Sequence, residues 1–409
     1  MMSPDTSREP AVTGWREQDF DLHGIVRIRL VDASPDDVAT VERQLGPLQQ
    51  SLKGEPDITV RFVDSATTRP LTYVGVHESG FNDDGFFLLQ GRGGVEARAS
   101  IPFDQIGRHP EIICERAMPA VPHLLAIINL TALAKGVLPL HASAFTAGTS
   151  GVLVTGWSKG GKTESLVACM SQGAKYVGDE WVYLTPAGQM LGVPEPIRLW
   201  AWHFDQLPDL LRSRSRRERW RLSAWKRISR MAMTVSRSPL PGTGLVRRAS
   251  PVLSRQAYLQ IPPADLFGPE AVTLRGQLDA VVLVVSHESP ETVAQPVAAA
   301  EVSGRMAASL ADERATFMTH YRHFQYAYPE LTNDVVDAAE TVESRLLATF
   351  LDHRPTAKVL HPHPCDIGLL GRTVLSAASN AVQVQVEGTT NEVRSRASDL
   401  GLVTRVTSN

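Results

Sequence analysis

The chain has 409 residues, is 43% hydrophobic and 21% charged, and carries a formal net charge of −3 at pH 7. This balance excludes a wholly disordered chain and argues against nucleic acid as a dedicated partner, since that class carries a strong basic excess. No run of about 18 uninterrupted apolar residues occurs, so we expect no integral membrane segment. The polar beginning lacks an apolar signal core, which predicts a cytoplasmic protein. Three widely spaced cysteines form no disulfide framework or metal pattern.

The length predicts two domains, because single hydrophobic cores stop growing at roughly 250–300 residues. We expect a disordered N-terminus at 1–20 and a small α+β domain at 21–120, followed by an α/β catalytic domain at 121–375. In the first domain, strand-like runs alternate with turns around one helix. The strands are expected at 25–30, 58–62, 71–76 and 86–89, and the helix at 36–45. No arrangement of metal ligands or nucleophiles stands out there, so the sequence assigns this domain no chemistry.

The expected catalytic domain begins with a helix at 123–135 and an apolar run at 138–145. A buried strand at 152–155, a glycine-rich turn and a helix at 162–172 come next, as expected for an α/β unit. The later elements expected from apolar patterning are a strand at 278–285 and helices at 298–310 and 335–350. The final segment, 376–409, is polar and weakly patterned, which predicts a loosely ordered tail or a few edge strands.

An arginine-rich insertion is expected at 209–256, where basic residues occur with Glu218 as the single acid between Arg212 and Arg255. Three interpretations remain open. The segment is a solvated helical insertion with an apolar seam, a docking surface for an acidic or phosphorylated partner, or a nucleic-acid or membrane-surface contact. The apolar anchors of the helical interpretation are Trp220, Leu222, Trp225 and Ile228.

The run from Gly156 to Thr163 fits the phosphate-loop pattern GxxxxGK[ST] and follows a predicted strand. In such a loop, backbone N–H groups and the positive end of a helix dipole meet at one point, where a polyphosphate fits. Lys162 is expected to neutralise phosphate charge, and the Thr163 hydroxyl is expected to bind Mg²⁺. The sequence therefore predicts ATP and Mg²⁺ as ligands. The predicted nucleotide-binding residues are Gly156, Ser158, Lys159, Gly160, Gly161, Lys162, Thr163 and Glu164.

An acidic pair, Asp179 and Glu180, interrupts two apolar strand halves shortly after the loop. Carboxylates at a strand end in this position are well placed to handle Mg²⁺ and an incoming nucleophile. Further along, Glu195 and Arg198 are expected either to bind substrate or to form an ordinary ion pair. His361 and His363 lack the spacing of a four-ligand metal site, so we expect no metal there.

Several motif elements occur together around the loop. His141 lies upstream of the loop, and Gly151–Gly156 forms the strand and turn that lead into it. The loop ends in Gly161–Glu164, which matches the pattern GKS-E, and residues 173–180, GAKYVGDE, match the pattern RG…LVADD. The stretch from His141 to Leu184 therefore resembles the catalytic domain of HPr kinase/phosphorylase and its relatives, bacterial kinases with a fold like that of phosphoenolpyruvate carboxykinase. Lys159 stands where that family usually has glycine, and the glycine-containing signature after the acidic pair is missing. The chain is thus similar to divergent members of the family.

The resemblance implies roles for individual residues. Asp179 would be the base that accepts the hydroxyl proton, Glu180 and Thr163 would lie near Mg²⁺, and His141 would lie close to the reacting phosphoryl group. With Lys162 on the phosphates, these residues would form a kinase active site.

Three functions stay open from the sequence. The first is an ATP- and Mg²⁺-dependent kinase whose hydroxyl acceptor is a serine of a peptide or protein, with an acidic or phosphorylated partner favoured by the arginine-rich insertion. The second is a small-molecule kinase acting on an amino acid or sugar hydroxyl. The third is a non-catalytic ATP-binding regulatory protein, in which the acidic pair is dispensable. A homo-oligomer is compatible with all three.

Overall fold

The computed structural model describes residues 16–75, 78–90, 96–212, 214–224, 227, 258–352 and 354–399. The protein is a mixed α/β chain of the α+β kind and divides into two compact units. One unit comprises Met1–Lys135 with Ala315–Ala339, and the other comprises Gly136–Arg314 with Glu340–Asn409. Each unit is therefore built from two separate stretches of the chain. Within the described residues, no helix is both long enough and apolar enough to cross a membrane.

The first unit contains a sheet in the strand order β1-β2-β3-β8-β7-β6-β5-β4. Strands β2, β3 and β8 are parallel to one another, and the other neighbours pair antiparallel. The strand bounds are β1 Arg16–Leu22, β2 Val26–Ala33, β3 Ile58–Val63, β4 Thr72–Val74, β5 Ser79–Asn82, β6 Gly85–Gln90, β7 Ala97–Ser100 and β8 Glu111–Glu115. Alternating burial along β2 and β3 directs one apolar face of the sheet to the core. Strand β1 begins inside the segment expected to be disordered, and residues 1–15 lie outside the described residues.

Helices cover the apolar face of this sheet. They are Pro35–Leu45, Leu124–Ala134, Ala315–Ala327 and the short Asp334–Asp337, with a 3₁₀ turn at Phe103–Gln105. The first begins at Ser34, whose hydroxyl accepts from the Asp37 backbone while Asp37 accepts from the Ser34 backbone. Phe317 and Phe324 of the helix Ala315–Ala327 pack on Phe103 with ring centroids 5.3 and 5.6 Å away.

The division of the chain differs from the expected boundary at 120–121. The helix Leu124–Ala134 and the segment Ala315–Ala339 belong to the first unit rather than to the part that was expected to be catalytic. The segment Ala315–Ala339 belongs to the first unit because its aromatic side chains pack on Phe103. Its Asn333 side-chain amide also donates to the backbone oxygens of Phe103 and Ile106 at 2.9 Å each. Helical periodicity shows that a face is apolar, but it does not identify the sheet which that face covers.

The second unit contains a larger sheet in the order β16-β13-β12-β9-β10-β17-β19-β18, with β11 also paired to β9, and a two-stranded sheet of β14 and β15. Strands β10, β17 and β19 are parallel. Residues 280–284 of β17 are apolar and buried, as expected for a parallel strand covered on both faces. The bounds are β9 Leu138–Ala147, β10 Ser150–Thr155, β11 Lys175–Gly178, β12 Trp181–Leu184, β13 Gln189–Gly192, β14 Ile197–Trp200, β15 Tyr258–Ile261, β16 Arg275–Gln277, β17 Ala280–Ser286, β18 Val293–Pro296 and β19 Thr356–His361.

Helices of the second unit flank this sheet. Their bounds are Lys162–Met170, His203–Gln206, Pro208–Arg212, 216–224, Pro263–Phe267, Ala299–Glu313, Ala339–Leu351 and Ile367–Asp399, with a 3₁₀ turn at Pro269–Ala271. The helix Ile367–Asp399 replaces the loosely ordered tail or edge strands expected at 376–409, because residues to 399 continue one helix. Its first half buries Leu370, Val374 and Ala377 in the core shared with the loop helix, at helical spacing. Residues 400–409 lie outside the described part of the chain.

Most of the arginine-rich insertion expected at 209–256 also lies outside the described residues, including Trp225 and Ile228. The described part contains the helical run 216–224, which begins after Ser215, whose hydroxyl accepts from the Glu218 backbone N–H at 3.3 Å. Leu222 is buried in the core, as its anchor role requires, whereas Trp220 is 73% exposed.

Candidate active site

The glycine-rich loop connects the end of β10 to the helix Lys162–Met170. Because β10 lies between β9 and β17 in the sheet interior, the loop leaves from a fixed position. Lys159 and Gly161 have φ values of 63° and 105°, so the chain turns through the left-handed region twice before the helix begins. No side chain caps this helix at Gly161, which leaves its first-turn backbone N–H groups facing the loop.

The loop is packed so closely that its glycines admit no side chain. A Cβ on Gly156 would lie 2.5 Å from the backbone oxygen of Val284, and one on Gly160 would lie 2.9 Å from that of Trp157. A Cβ on Gly161 would collide with the ring of His361. His361, buried at the end of β19, contacts the Gly160 oxygen through Nε2 at 2.9 Å. From the sequence we considered His361 only as a metal ligand and expected no metal there. In the structure its ring supports the loop.

Lys162 is buried at the start of the helix, with 6% of its surface exposed. Its ammonium donates to the backbone oxygens of Gly156 and Trp157 at 3.1 and 3.2 Å. Burial lowers the pKa of this lysine, while nearby Glu180, Asp179 and Glu313 oppose the shift. The ammonium is therefore held inside the loop by neutral carbonyls and surrounded at longer range by carboxylates.

Asp179 follows β11 and is buried, with 1% of its surface exposed. Its carboxylate accepts a hydrogen bond from the Ser143 hydroxyl and another from the Thr163 hydroxyl at 3.0 Å. Burial, and then the adjacent Glu180 charge, raise the pKa of Asp179 to about 7. This carboxylate lies in a place where a cation would strongly favour its ionised form.

Glu180 has a φ of 61°, which turns its side chain away from that of Asp179 and leaves 49% of it exposed. His141 lies between two carboxylates, with Nε2 3.0 Å from Glu180 and Nδ1 2.9 Å from Glu313. Burial opposes a charged ring, but the two neighbouring carboxylates raise the pKa of His141. The hydrogen bonds from His141 in turn hold the pKa of Glu180 and of Glu313 below the ordinary value. The three groups form a charge-paired cluster beside Asp179.

Glu195 and Arg198, the expected substrate residues, do not form an ion pair with each other. The Oε1 atom of Glu195 is buried and has no hydrogen-bond partner among the described residues. Burial, together with the charges of Glu180 and Asp179, raises the pKa of Glu195 well above its ordinary value. Arg198 is exposed on β14, with its guanidinium carbon 5.0 Å from the centre of the Tyr258 ring. The ion-pair alternative is therefore wrong for this pair.

The remaining loop residues have distinct surroundings. Lys159 is exposed and Ser158 is half-buried. Glu164 lies 3.4 Å from Nε2 of the buried His203. Burial disfavours ionisation of Glu164, but the hydrogen bond with His203 keeps its pKa below the ordinary value. Glu164 thus pairs with a neighbouring helix rather than with Thr163.

The structure brings together the loop, Lys162, Thr163, Asp179, Glu180 and His141, with Glu195 close enough to interact electrostatically. Three further side chains of this cluster were missed: Ser143, Glu313 and His361. The positions of Glu313 and His361 depend on distant parts of the chain, which no local motif reports. Ser143 lies two residues after His141 on β9, so alternation along that strand was a usable signal.

Comparisons with known proteins add little to this geometry. No family model matches the chain, and no curated protein matches it. Among solved structures, the chain is similar to the Hpr(Ser) kinase/phosphatase from Coxiella burnetii at 14% identity, over 39% of this chain and 77% of that one, with a TM-score of 0.17. A TM-score this low supports no conclusion about activity.

Proposed function

We propose that this protein is a kinase that binds ATP with Mg²⁺ at the loop Gly156–Thr163 and transfers the γ-phosphoryl group to a hydroxyl. The observation that carries the proposal is the contact between the Thr163 hydroxyl and the buried Asp179 carboxylate, beside an ammonium held inside the loop. A hydroxyl and a carboxylate are the oxygen ligands that Mg²⁺ prefers, and the ammonium supplies charge for the phosphates.

The residues present fit both ligands. The backbone of the loop forms a cradle that a Cβ at Gly156 or Gly160 would disrupt, and uncapped N–H groups of the following helix face it. Asp179 has a raised pKa because burial and Glu180 disfavour its charge, so a cation there would relieve an unfavourable interaction. When bound, Mg²⁺ would neutralise phosphate charge as a Lewis acid.

The chain's own residues would position the donor. Lys162 exchanges its two carbonyl partners for phosphate oxygens, which are stronger acceptors because they are charged. His361 keeps the loop backbone in place from behind through the Gly160 oxygen. Catalysis of phosphoryl transfer depends mainly on such positioning and on electrostatic stabilisation.

The roles of the two acidic residues would be the opposite of those that the resemblance implies, with Asp179 near Mg²⁺ and Glu180 as the base. Thr163 contacts Asp179, so Asp179 is the carboxylate on the metal side. Glu180 is half-exposed, and its pKa is low because His141 hydrogen-bonds to it, so it is ionised and accessible to an acceptor. Glu180 would take the hydroxyl proton as the acceptor oxygen bonds to phosphorus and ADP leaves. A weak base suffices because the transition state is loose.

The acceptor hydroxyl would belong to a serine of a peptide or protein, or to a small metabolite. Arg198, exposed and within electrostatic range of Glu180 and Glu195, is the described cation best placed to contact an acidic acceptor. The arginine-rich insertion expected at 209–256 follows β14 in the chain and would extend this basic character.

The Lys162→Ala variant should bind ATP with Mg²⁺ about 10- to 100-fold more weakly than the wild type, because a charge-assisted hydrogen bond contributes about 1.5–3 kcal/mol. Isothermal titration calorimetry measures both affinities. The matched control is Lys175→Ala, which removes an exposed lysine of β11 and should leave binding unchanged.

Transfer is tested in the same preparations with γ-labelled ATP and serine-containing peptides, free amino acids and sugars as acceptors. Labelled product from the wild type and the control, but not from Lys162→Ala, supports the kinase. Absence of ATP binding by the wild type would overturn it.

A further inference from the structure

A second cluster of ligating side chains lies in the first unit, where the sequence assigned no chemistry. His320 and His323 are one turn apart on the helix Ala315–Ala327, and Glu78 directly precedes β5. One ligand atom from each of these three residues lies within 4.8 Å of the other two. We propose that Glu78, His320 and His323 bind a divalent transition-metal ion of the Zn²⁺ class.

The donor set fits such an ion. Two imidazole nitrogens and one carboxylate oxygen are a common protein ligand set for Zn²⁺, with water in the remaining position. The spacing of three places both histidines on one face of the helix. Glu78 is exposed and both histidines are half-buried, so an ion can reach the cluster from solvent. Imidazole ligands select against Mg²⁺, which the proposed kinase site would use.

The hydrogen bonds around His323 orient its ring as metal sites require. Its Nδ1 lies 3.0 Å from the Ser79 hydroxyl, and that hydroxyl donates to the Val74 backbone oxygen at 3.1 Å. Because the Ser79 proton is used on Val74, the hydroxyl must accept from Nδ1–H of His323. The lone pair of His323 is then on Nε2. Ligating histidines typically donate their other N–H to such an outer partner.

His320 has an equivalent outer partner in His123. Its Nδ1 lies 2.7 Å from Nε2 of His123, which is held by edge-on contact with the rings of Phe103 and Phe317. With the proton on Nδ1, His320 donates to His123 and presents Nε2 as a free lone pair. Neither His320 nor His323 has a partner on Nε2 among the described residues. Nε2 is therefore the nitrogen that each ring can offer to a metal ion.

An ion at this position would join Glu78, directly before β5, to the helix Ala315–Ala327, two parts of the first unit that are far apart in sequence. Bound metal would therefore stabilise the native state of this unit, because the unfolded chain has no preformed site. The expected signature is metal-dependent stability, independent of ATP.

The experiment uses the full chain, stripped of metal with a chelator and kept in excess Mg²⁺ so that the kinase site does not compete. Titration with ZnCl₂ should show one high-affinity ion per chain and a rise in melting temperature. Glu78→Gln and His323→Gln should each weaken binding by about 100-fold or more and abolish the rise. Ser79→Ala, which removes only the outer partner, should weaken binding about 10- to 100-fold.

The control is His287→Gln, which removes a histidine of the other unit and should bind Zn²⁺ as the wild type does. Circular dichroism of the metal-free proteins checks that each variant is folded. If His323→Gln fails to fold, Glu78→Gln still tests the proposal, because it changes only an exposed side chain. Zinc binding that survives Glu78→Gln and Ser79→Ala unchanged, or no binding by the wild type, would overturn the proposal. Neither outcome bears on ATP binding.

Discussion

The Asp179→Asn variant should transfer phosphate about 10²- to 10³-fold more slowly than the wild type, the usual loss when one preorganised electrostatic group is removed from an active site. Asparagine can accept from one of the Ser143 and Thr163 hydroxyls through its single oxygen and donate its amide N–H to the other, so both contacts can be kept in changed polarity. What is lost is the negative charge at the position where we propose that Mg²⁺ binds. The measurement is the transfer rate at saturating ATP, with ATP affinity determined in parallel by calorimetry.

The same variant should change how stability depends on pH. Burial raises the pKa of Asp179 to about 7 in the folded protein from its ordinary value of 3.8. Between these two pKa values, Asp179 is ionised in the unfolded chain but still protonated in the folded protein. The wild type therefore loses stability as pH rises through this window. Asp179→Asn has no such loss. Without Mg²⁺, it should be more stable than the wild type by about 4 kcal/mol at pH 8 and equally stable near pH 4, as measured by urea unfolding.

The matched control is Asp265→Asn, which changes an exposed aspartate of the second unit. It should alter neither the transfer rate nor the pH dependence of unfolding. If Asp179→Asn bound ATP and kept the full activity of the protein, the acidic residue would be dispensable. The non-catalytic regulatory protein would then replace the kinase.

Local motifs predicted the part of the site that a short stretch of chain builds. Strand β10, the glycine turn and the helix Lys162–Met170 occur where the pattern places them, because each depends on residues within a few positions. His361 is 201 residues from Gly160, and Glu313 reaches His141 from the end of a distant helix. Their roles depend on which strands and helices become neighbours, and a single sequence contains no direct signal of that.

The partners of Asp179 and Glu180 show a second limit of sequence reasoning. The two carboxylates are adjacent in the chain, and their types alone do not show which one meets Thr163. A register shift between Tyr176 and Gly178 and the left-handed backbone of Glu180 decide it, by sending the two side chains to different neighbours. Glutamate gives no local indication of a positive φ, so this geometry could not be expected.

The boundary between units illustrates a third limit. The helix Ala299–Glu313 belongs to the second unit, and the helix that begins one residue after Arg314 belongs to the first. Both helices have an apolar face of the same kind. Only the aromatic side chains of the second, which pack around Phe103, distinguish them.

Arg314, at the end of the helix Ala299–Glu313, forms a buried ion pair with Glu343. Two hydrogen bonds of 2.5 and 2.9 Å join the guanidinium to the carboxylate, and both residues are buried. Burial raises the pKa of Glu343, and Arg314 opposes that shift. The pair fixes the helix end that holds Glu313 against His141, so it connects the packing of this unit to the candidate site.

The Arg314→Met variant should therefore lower the free energy of unfolding by about 3–5 kcal/mol, because it leaves the Glu343 carboxylate buried without a partner. Urea unfolding followed by circular dichroism measures the loss. The double variant Arg314→Met with Glu343→Leu should recover most of it, since no buried charge remains. Arg305→Met, which removes an exposed pair with Glu301 on the same helix, should cost less than about 1 kcal/mol. Equal losses of unfolding free energy in the Arg314 and Arg305 variants would show that the buried pair does not hold this helix end. The position of the His141 ring would then depend on its contact with Glu180 alone.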